Sequence, residues 1–170
     1  QLAPNTPESW LAEATLKLRE RNWTKAQAAV ERALQLSPNL PDAIYLRGSL
    51  AQASGRLGAA ARDYDEVLRL QPDHLEALIS RAALAADQGR TDAALADIAT
   101  ARKRFPKDPR ADYLEALLAE RRGDAKTSRE ALQRIANLIA GVPVEFVRYR
   151  PQLLLLAALS NHALGDLDKA

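Results

Sequence analysis

The chain offers few side chains that could carry out chemistry. Its two histidines, His74 and His162, have no partner at metal-ligand spacing, and cysteine is absent, which excludes a zinc cluster, a thiolate nucleophile and a disulfide framework. Neither an HExxH motif nor a GxxxxGK[ST] phosphate loop occurs. Paired acids such as Asp63 and Asp65 fall on predicted helix surfaces, where they are typical of a solvated face. The sequence therefore predicts no enzyme, no cofactor and no metal site.

Composition narrows the function further. The 170 residues are 47% hydrophobic and 27% charged, with a net charge of +2, a mildly basic balance that does not by itself indicate nucleic acid. The longest apolar run, residues 153–159, is far shorter than the ~18 residues of a membrane helix. Function must then come from a surface that binds a partner.

The element that must position such a surface is a 34-residue repeat. In residues 41–74, Gly48 and Ala60 are small enough for two helices to touch, Gly55 interrupts the chain between them, and Pro72 ends the unit. The same pattern recurs at intervals of 34 residues: Ala14, Ala82 and Ala116 match Gly48, Ala26, Ala94 and Ser128 match Ala60, and Pro38 and Pro106 match Pro72. A period of this length is typical of a helical repeat array.

The period also predicts the boundaries of the units. They are 1–6 as the tail of a preceding repeat, four repeats at 7–40, 41–74, 75–108 and 109–142, an insertion or connector at 143–150, and the start of a fifth repeat at 151–170. Because both ends fall inside a repeat, the sequence predicts a fragment of a longer array. Phe146 and Tyr149 of the connector are expected to pack on neighbouring helices; a binding role is the alternative.

Each repeat is predicted to contain two helices, about 7–20 and 24–35 in the first. Proline is favoured at the first position of a helix, which predicts helix starts at Pro7, Pro41, Pro109 and Pro151. Threonine hydroxyls can cap a helix, so Thr24 and Thr91 are expected to cap second helices.

Two repeats carry opposite charges at matching positions of their two helices. Arg47 is matched by Asp63, and Arg81 by Asp97. We expect each arginine to pair with its aspartate between the helices; the alternative is that all four are solvated at helix edges.

With these residues in place, the chain resembles the tetratricopeptide repeat family. The likeness rests on position 4 (Trp10, Ile44, Leu78), the small residues at positions 8 and 20, the bulky residue at position 24 (Val30, Tyr64, Ile98, Leu132) and the proline at position 32. The resemblance implies an all-α fold: a right-handed superhelical solenoid of antiparallel helix pairs.

The resemblance also implies a binding site. In this family the first helices line a concave groove into which positions 2, 5, 9 and 12 face. The candidate partner-binding residues are Asp42, Tyr45, Ser49, Gln52, Ile79, Arg110, Tyr113, Leu117 and Glu120, with Glu8, Leu11, Thr15, Leu18, Glu76, Ala83 and Ala86 on the same face. Tyr45 and Tyr113 are expected to be exposed and to anchor a peptide; the alternative is that both rings pack between helices.

Two partner classes are disfavoured. The chaperone-binding members clamp a terminal carboxylate with Lys and Asn, which these groove positions lack. The basic clusters at 102–104, 121–122 and 148–150 lie mostly at helix ends, where cations are favoured by the helix dipole. We interpret them as structural, and RNA binding as unsupported.

Phrases such as YLEALLAERRGD (113–124) and LLLLAALSNHALGDLDKA (153–170) resemble bacterial envelope members of the family. The likeness is to the repeat lipoproteins of PEP-CTERM and exopolysaccharide export systems. It implies a periplasmic or cell-envelope scaffold whose partners are secretion or polysaccharide-modifying proteins. A cytoplasmic adaptor or co-chaperone module, and direct polysaccharide binding by the groove, are the alternatives.

Overall fold

Helices make up the regular structure of the chain. The computed structural model describes residues 5–143 and 151–165, and in those ranges every regular element is an α-helix. They are α1 Pro7–Arg19, α2 Trp23–Leu36, α3 Pro41–Ala53, α4 Leu57–Leu70, α5 Leu75–Asp87, α6 Thr91–Arg104, α7 Arg110–Arg121, α8 Ala125–Ala140 and α9 Pro151–Leu164. Helix α1 packs on α2, α3 on α4 and α7 on α8. The predicted all-α, helical repeat class is confirmed.

Some of the predicted segments lie outside the residues that the structure describes. The connector residues 144–150, with Phe146 and Tyr149, lie outside the described residues, as do residues 1–4 and 166–170. Within the described ranges, no helix combines the length and the apolar character needed to cross a membrane.

A left-handed residue follows the first helix of each pair. The φ angles are +56° at Arg21, +74° at Gly55 and +72° at both Gly89 and Gly123. The next residue donates its N–H to a carbonyl five residues back, as Arg56 does to Ala51 at 2.8 Å, which is the Schellman pattern of helix ends. Glycine adopts this conformation without steric cost, whereas Arg21 carries a penalty of about 1 kcal/mol.

The predicted helix starts need correction at three positions. Asn22, not Thr24, caps α2, because its Oδ1 accepts the Lys25 N–H at 3.2 Å. The left-handed turn leaves one residue before the second helix, so Thr91 is already its first residue. Pro109 precedes α7 as its N-cap, whereas Pro7, Pro41 and Pro151 do begin their helices.

The chain divides into two compact units at Leu84. Unit 1 contains α1 to α4 and most of α5, and unit 2 runs from Ala85 and contains α6 to α9. One core cluster of unit 1 comprises Ala14, Ala26, Ala29, Val30 and Leu50, and another comprises Ala51, Ala60, Tyr64 and Leu84. In unit 2, Ile135 and Ile139 of α8 form a cluster with Tyr113, Leu132, Val142, Leu156 and Ala157 packed around it.

The small residues of the repeat do lie where helices touch. A Cβ placed on Gly48 would come within 2.9 Å of Tyr64 Cε1 and 3.0 Å of Asp63 Cβ, closer than real Cβ contacts allow. Glycine therefore lets α3 approach α4 over the buried Tyr64 ring. The predicted small positions 8 and 20 are buried at Ala14, Ala82, Ala116, Ala26, Ala60 and Ala94, whereas Ser128 is partly exposed.

Candidate partner-binding surface

The predicted groove positions of unit 1 lie on the accessible side of its first helices. On α3, Tyr45, Ser49 and Gln52 are partly exposed and Asp42 is exposed. Among the buried residues of α3 are Ala43, Ile44 and Gly48, and Gly48 lies against Tyr64 of α4. Partial or full exposure is shared by the other predicted positions of this unit: Glu8, Leu11, Thr15, Leu18, Glu76, Ile79 and Ala83. We name this surface the first-helix face of unit 1.

Tyr45 is less exposed than the sequence suggested. Its ring centroid lies 5.9 Å from that of Tyr64, with the planes tilted by 33°, and 5.3 Å from that of His74, with a tilt of 36°. Its hydroxyl lies 3.4 Å from Ser80 Oγ. The ring therefore packs between α3, α4 and α5, as the alternative interpretation held, and presents only part of its surface.

Beneath this face, Tyr64 ties a predicted groove residue to the core. The Tyr64 hydroxyl donates to Gln52 Oε1 at 2.7 Å, and its ring is 1% exposed. Burial is the main cause that raises the pKa of Tyr64, because the charged phenolate would be poorly solvated there. Gln52 thus has its carbonyl oxygen engaged by the core, which fixes its side chain at the floor of the first-helix face.

His74 has a structural role that the sequence did not suggest. It is 5% exposed, and its Nδ1 accepts the Ala77 N–H at 3.2 Å. Since Nδ1 is the acceptor, we assign the proton of the neutral ring to Nε2, which then donates to Asp42 Oδ1 at 3.0 Å. One imidazole therefore caps α5 and orients the Asp42 carboxylate at the edge of the first-helix face. Histidine is not among the favoured caps, so no local signal revealed it.

The predicted pairing of Arg47 is confirmed. Arg47 Nε and Nη2 donate to Asp63 Oδ2 and Oδ1 at 3.0 and 2.7 Å, a bidentate pair that links α3 to α4. The hydrogen bond to Asp63 is the main cause that raises the pKa of Arg47. Arg81 donates to Asp65 at 2.6 Å. Its predicted pairing with Asp97 joins residues of different units and stays a prediction.

In unit 2 the predicted groove residues divide into held and open side chains. The Arg110 guanidinium donates from Nε and Nη2 to Asp108 Oδ1 and Oδ2, both at 2.9 Å. Burial opposes ionisation of Asp108, but the hydrogen bonds from Arg110 outweigh it and lower the pKa of that carboxyl. Tyr113 packs against the Ile135–Ile139 cluster, Leu117 is partly exposed and Glu120 is exposed.

Helix α9 adds apolar side chains that the sequence prediction did not include. Counted from Pro151, Leu155 and Leu159 occupy positions 5 and 9 of a repeat, and they are 60% and 40% exposed. The same count that selected Tyr113 and Leu117 on α7 would have found them. We name Tyr113, Leu117, Leu155 and Leu159 the apolar face of unit 2.

Several basic residues are engaged by carboxylates. Arg102 Nη1 donates to Glu115 Oε2 at 2.5 Å, and Arg134 Nε to Asp112 Oδ1 at 2.7 Å. Arg134 also donates from Nη2 to Glu115, which joins α6, α7 and α8 in one network. Arg121 donates to Asp87 at 3.2 Å. These contacts support the structural interpretation of the basic clusters.

Among the described residues, no group of acids and histidines could hold a metal ion.

Comparison with known proteins agrees with this geometry. Two models described as tetratricopeptide repeat match residues 12–70 and 51–118. Together they span residues 12 to 118, well over half of the chain. The chain belongs to the tetratricopeptide repeat family. No curated protein sequence matched it closely enough to count as a relative.

Solved structures of similar fold are distant in sequence. PilW, a widely conserved type IV pilus biogenesis factor, is 20% identical with a TM-score of 0.74, over 98% of this chain and 74% of that one. TTC0263, a thermophilic TPR protein of Thermus thermophilus, is 16% identical with a TM-score of 0.73, over 96% and 86%. YrrB, a TPR protein with an unusual peptide-binding site, is 15% identical with a TM-score of 0.67, over 92% and 75%. At these identities the likeness shows the fold.

Proposed function

We propose that this chain is a non-catalytic scaffold that captures a protein or peptide segment on the exposed faces of its first helices. The observation that carries the proposal is the division of α3. Tyr45, Ser49 and Gln52 are partly exposed, while Ile44 and Gly48 are buried and Gly48 lies against Tyr64 of α4. A helix face that the fold leaves open and supports rigidly from below is suited to binding an extended or helical segment.

Contacts from buried residues hold several side chains of the first-helix face of unit 1 in place, as expected of a binding surface. Tyr45 is held by two ring contacts, Gln52 by the Tyr64 hydroxyl, and Asp42 by His74. Side chains that are already ordered lose little conformational entropy when a partner binds. The partly buried tyrosines offer little open ring surface for stacking on a sugar, so direct polysaccharide binding remains the weaker alternative.

Site-specific cross-linking tests this function. A photoreactive residue at Gln52 should link the chain to a discrete partner in an extract of its own cells, and one at Ala96, exposed on the second helix α6, should not. The double variant Ser49→Glu with Ala83→Glu should lose at least about tenfold in capture, because it is costly to bury an unpaired carboxylate in an interface. The matched control is Ala93→Glu with Ala96→Glu, which adds the same charge on α6. Equal capture by both doubles would contradict the proposal.

We further propose that the partner belongs to a bacterial envelope export system that handles polysaccharide or protein. The support is the likeness of residues 113–124 and 153–170 to envelope members of the family, together with the role of PilW, a protein of similar fold, as a type IV pilus biogenesis factor. Fractionation of the cells that make the protein tests this. Recovery in the envelope fraction is expected. Recovery in the cytoplasm would discard the envelope role and favour a cytoplasmic adaptor or co-chaperone module.

A further inference from the structure

A surface hollow lies in unit 1, where α2 meets the end of α3. Its volume is about 600 Å³, and it is lined by Trp23, Thr24, Ala28, Leu50, Ala53 and Ser54 among others. Trp23 stands in its wall with 53% of its surface exposed. We name it the Trp23 hollow. A half-exposed indole beside small apolar residues is the kind of surface on which an apolar side chain is anchored.

A second hollow of about 230 Å³ adjoins the first and reaches α4. The two share Gln27, Glu31 and Leu50 in their linings, and the second adds Arg56 and Arg62. Since they share a wall, one short segment of chain can occupy both. Each lies within unit 1.

The charges of the second hollow are unequally compensated. Arg47 in its wall is neutralised by the bidentate contact with Asp63. Glu31 accepts a hydrogen bond from Gln27 at 2.9 Å. Arg56 and Arg62 are exposed or partly exposed and form no hydrogen bond or ion pair through their side chains within the described ranges. Two guanidinium groups are thus available to a ligand, in a fork geometry that suits carboxylates.

We propose that these adjoining hollows dock a peptide segment of a protein partner in which an apolar side chain is followed by acidic residues. The apolar side chain fills the Trp23 hollow and the acids bind Arg56 and Arg62. None of the lining residues belongs to the first-helix face, so the scaffold holds two partners at once. A nucleic acid is the poorer occupant, because only two guanidinium groups are uncompensated among the described residues of these linings, whereas a phosphate backbone is bound through a longer run of cations.

Selection from random peptides tests the occupant without assuming its sequence. Twelve-residue peptides displayed on phage are selected on the whole chain, and the dissociation constant of each enriched peptide is measured by fluorescence polarisation. We expect enrichment of an apolar residue followed by acids. Trp23→Ala should raise the dissociation constant about 10- to 100-fold, as for a hot-spot tryptophan. Arg56→Glu with Arg62→Glu should raise it about tenfold at low salt, and this difference should shrink as the salt concentration rises.

Matched variants separate this site from others. Lys25→Glu with Arg32→Glu makes the same charge change at exposed positions of α2 that do not line either hollow, and should change binding less than about twofold. Circular dichroism melting checks that each variant is folded. The arginine pair at the surface keeps the test decisive even if Trp23→Ala does not fold.

Three results would overturn the inference. One is that no enriched peptide is sensitive to the Trp23 or arginine variants; another is that the sensitive peptides lack acids. The third is that a labelled single-stranded oligonucleotide binds more tightly than any enriched peptide and competes with it. Ser49→Glu with Ala83→Glu should leave binding here unchanged, so peptides lost only with that double variant support the first-helix face alone.

Discussion

His74 and Asp108 stand 34 residues apart at the same place of two repeats, just before a first helix. Each accepts a backbone N–H from the start of that helix, His74 from Ala77 at 3.2 Å and Asp108 from Arg110 at 3.0 Å. Each also binds a side chain at position 2 of a repeat, Asp42 in unit 1 and Arg110 in unit 2. The residue at this position thus accepts a backbone N–H near the start of a helix and fixes the edge of a binding face in both units.

The two units differ in the charge of the outer residue at this edge and in the burial of the inner residue that holds it. In unit 1 the outer partner is a carboxylate and the inner one a buried imidazole against the Tyr45 ring. In unit 2 the outer partner is a guanidinium and the inner one a partly exposed carboxylate. In both units this position accepts a backbone N–H. The charge of the neighbouring side chain that a partner would meet differs between the units. The acidic edge and the basic edge suit different ligands.

The largest expected effect comes from removing the support of only one edge. Gly48→Leu would drive a side chain into Tyr64, 2.9 Å from where its Cβ would lie, and through Tyr45 disturb His74. We expect a loss of about 3 kcal/mol in the free energy of unfolding, at the top of the overpacking range, measured by urea denaturation. Gly58→Ala, on α4 with no atom within 4 Å of the new Cβ, should be neutral or stabilising. A tolerated Gly48→Leu would mean that the edge does not depend on this contact.

Removal of the two inner residues compares the edges directly. His74→Ala should cost about 2 kcal/mol, because it deletes a cap and a buried ring. Asp108→Ala should cost about 1 kcal/mol, the usual value of lost hydrogen bonds to a partly exposed side chain. Thermal and urea unfolding would measure both. Equal losses would show that the imidazole contributes only its cap.

The tyrosines at position 5 pack on different kinds of residue: Tyr45 packs on the rings of Tyr64 and His74, and Tyr113 packs on Ile135 and Ile139. Tyr45→Leu loses two ring contacts, and Tyr113→Leu keeps apolar packing on Ile135 and Ile139. We therefore expect Tyr45→Leu to cost about 1 kcal/mol more than Tyr113→Leu. The same urea experiment measures the difference. A larger loss of unfolding free energy for Tyr113→Leu would contradict this expectation and show that the Tyr113 ring contributes more to stability.

The smallest expected effect is the pH dependence of the basic edge. Because the pKa of Asp108 is lower in the folded chain, its contribution is complete above the unfolded pKa, near 4, and is lost as the pH falls through the folded value. Asp108→Asn should therefore lower stability by about 0.5 to 1 kcal/mol at pH 7. That difference from the original chain should shrink steadily below about pH 4. A difference that is constant with pH would show that the charge of Asp108 does not stabilise the fold.

The residues that sequence reasoning placed well are those fixed by the repeat itself. Gly48, Ala60 and Tyr64 occupy positions that the repeat fixes, because every helix pair must close at the same point. The structure places Gly48 against Tyr64, and Ala60 in the same buried cluster as Tyr64. The Arg47–Asp63 pair was predictable for the same reason.

The features it missed depend on contacts that no local pattern encodes. His74 meets Asp42, which is 32 residues earlier in the chain, and no capping preference points to an imidazole. Thr24 looked like a cap because its type is favoured there, but the tight left-handed turn places it one residue inside α2. The accessible side of Tyr45 was overestimated since its exposure is decided by His74 and Tyr64, which lie on other elements.

The left-handed turns described above bear on how the chain folds and how it can be rebuilt. Each is closed by hydrogen bonds that span three to five residues, at 21, 55, 89 and 123, so a helix pair can form without waiting for distant parts of the chain. Such low contact order favours rapid folding that can begin at any repeat and spread to its neighbours. The same locality makes a 34-residue segment, cut from one such turn to the next, a natural unit for insertion or exchange between arrays.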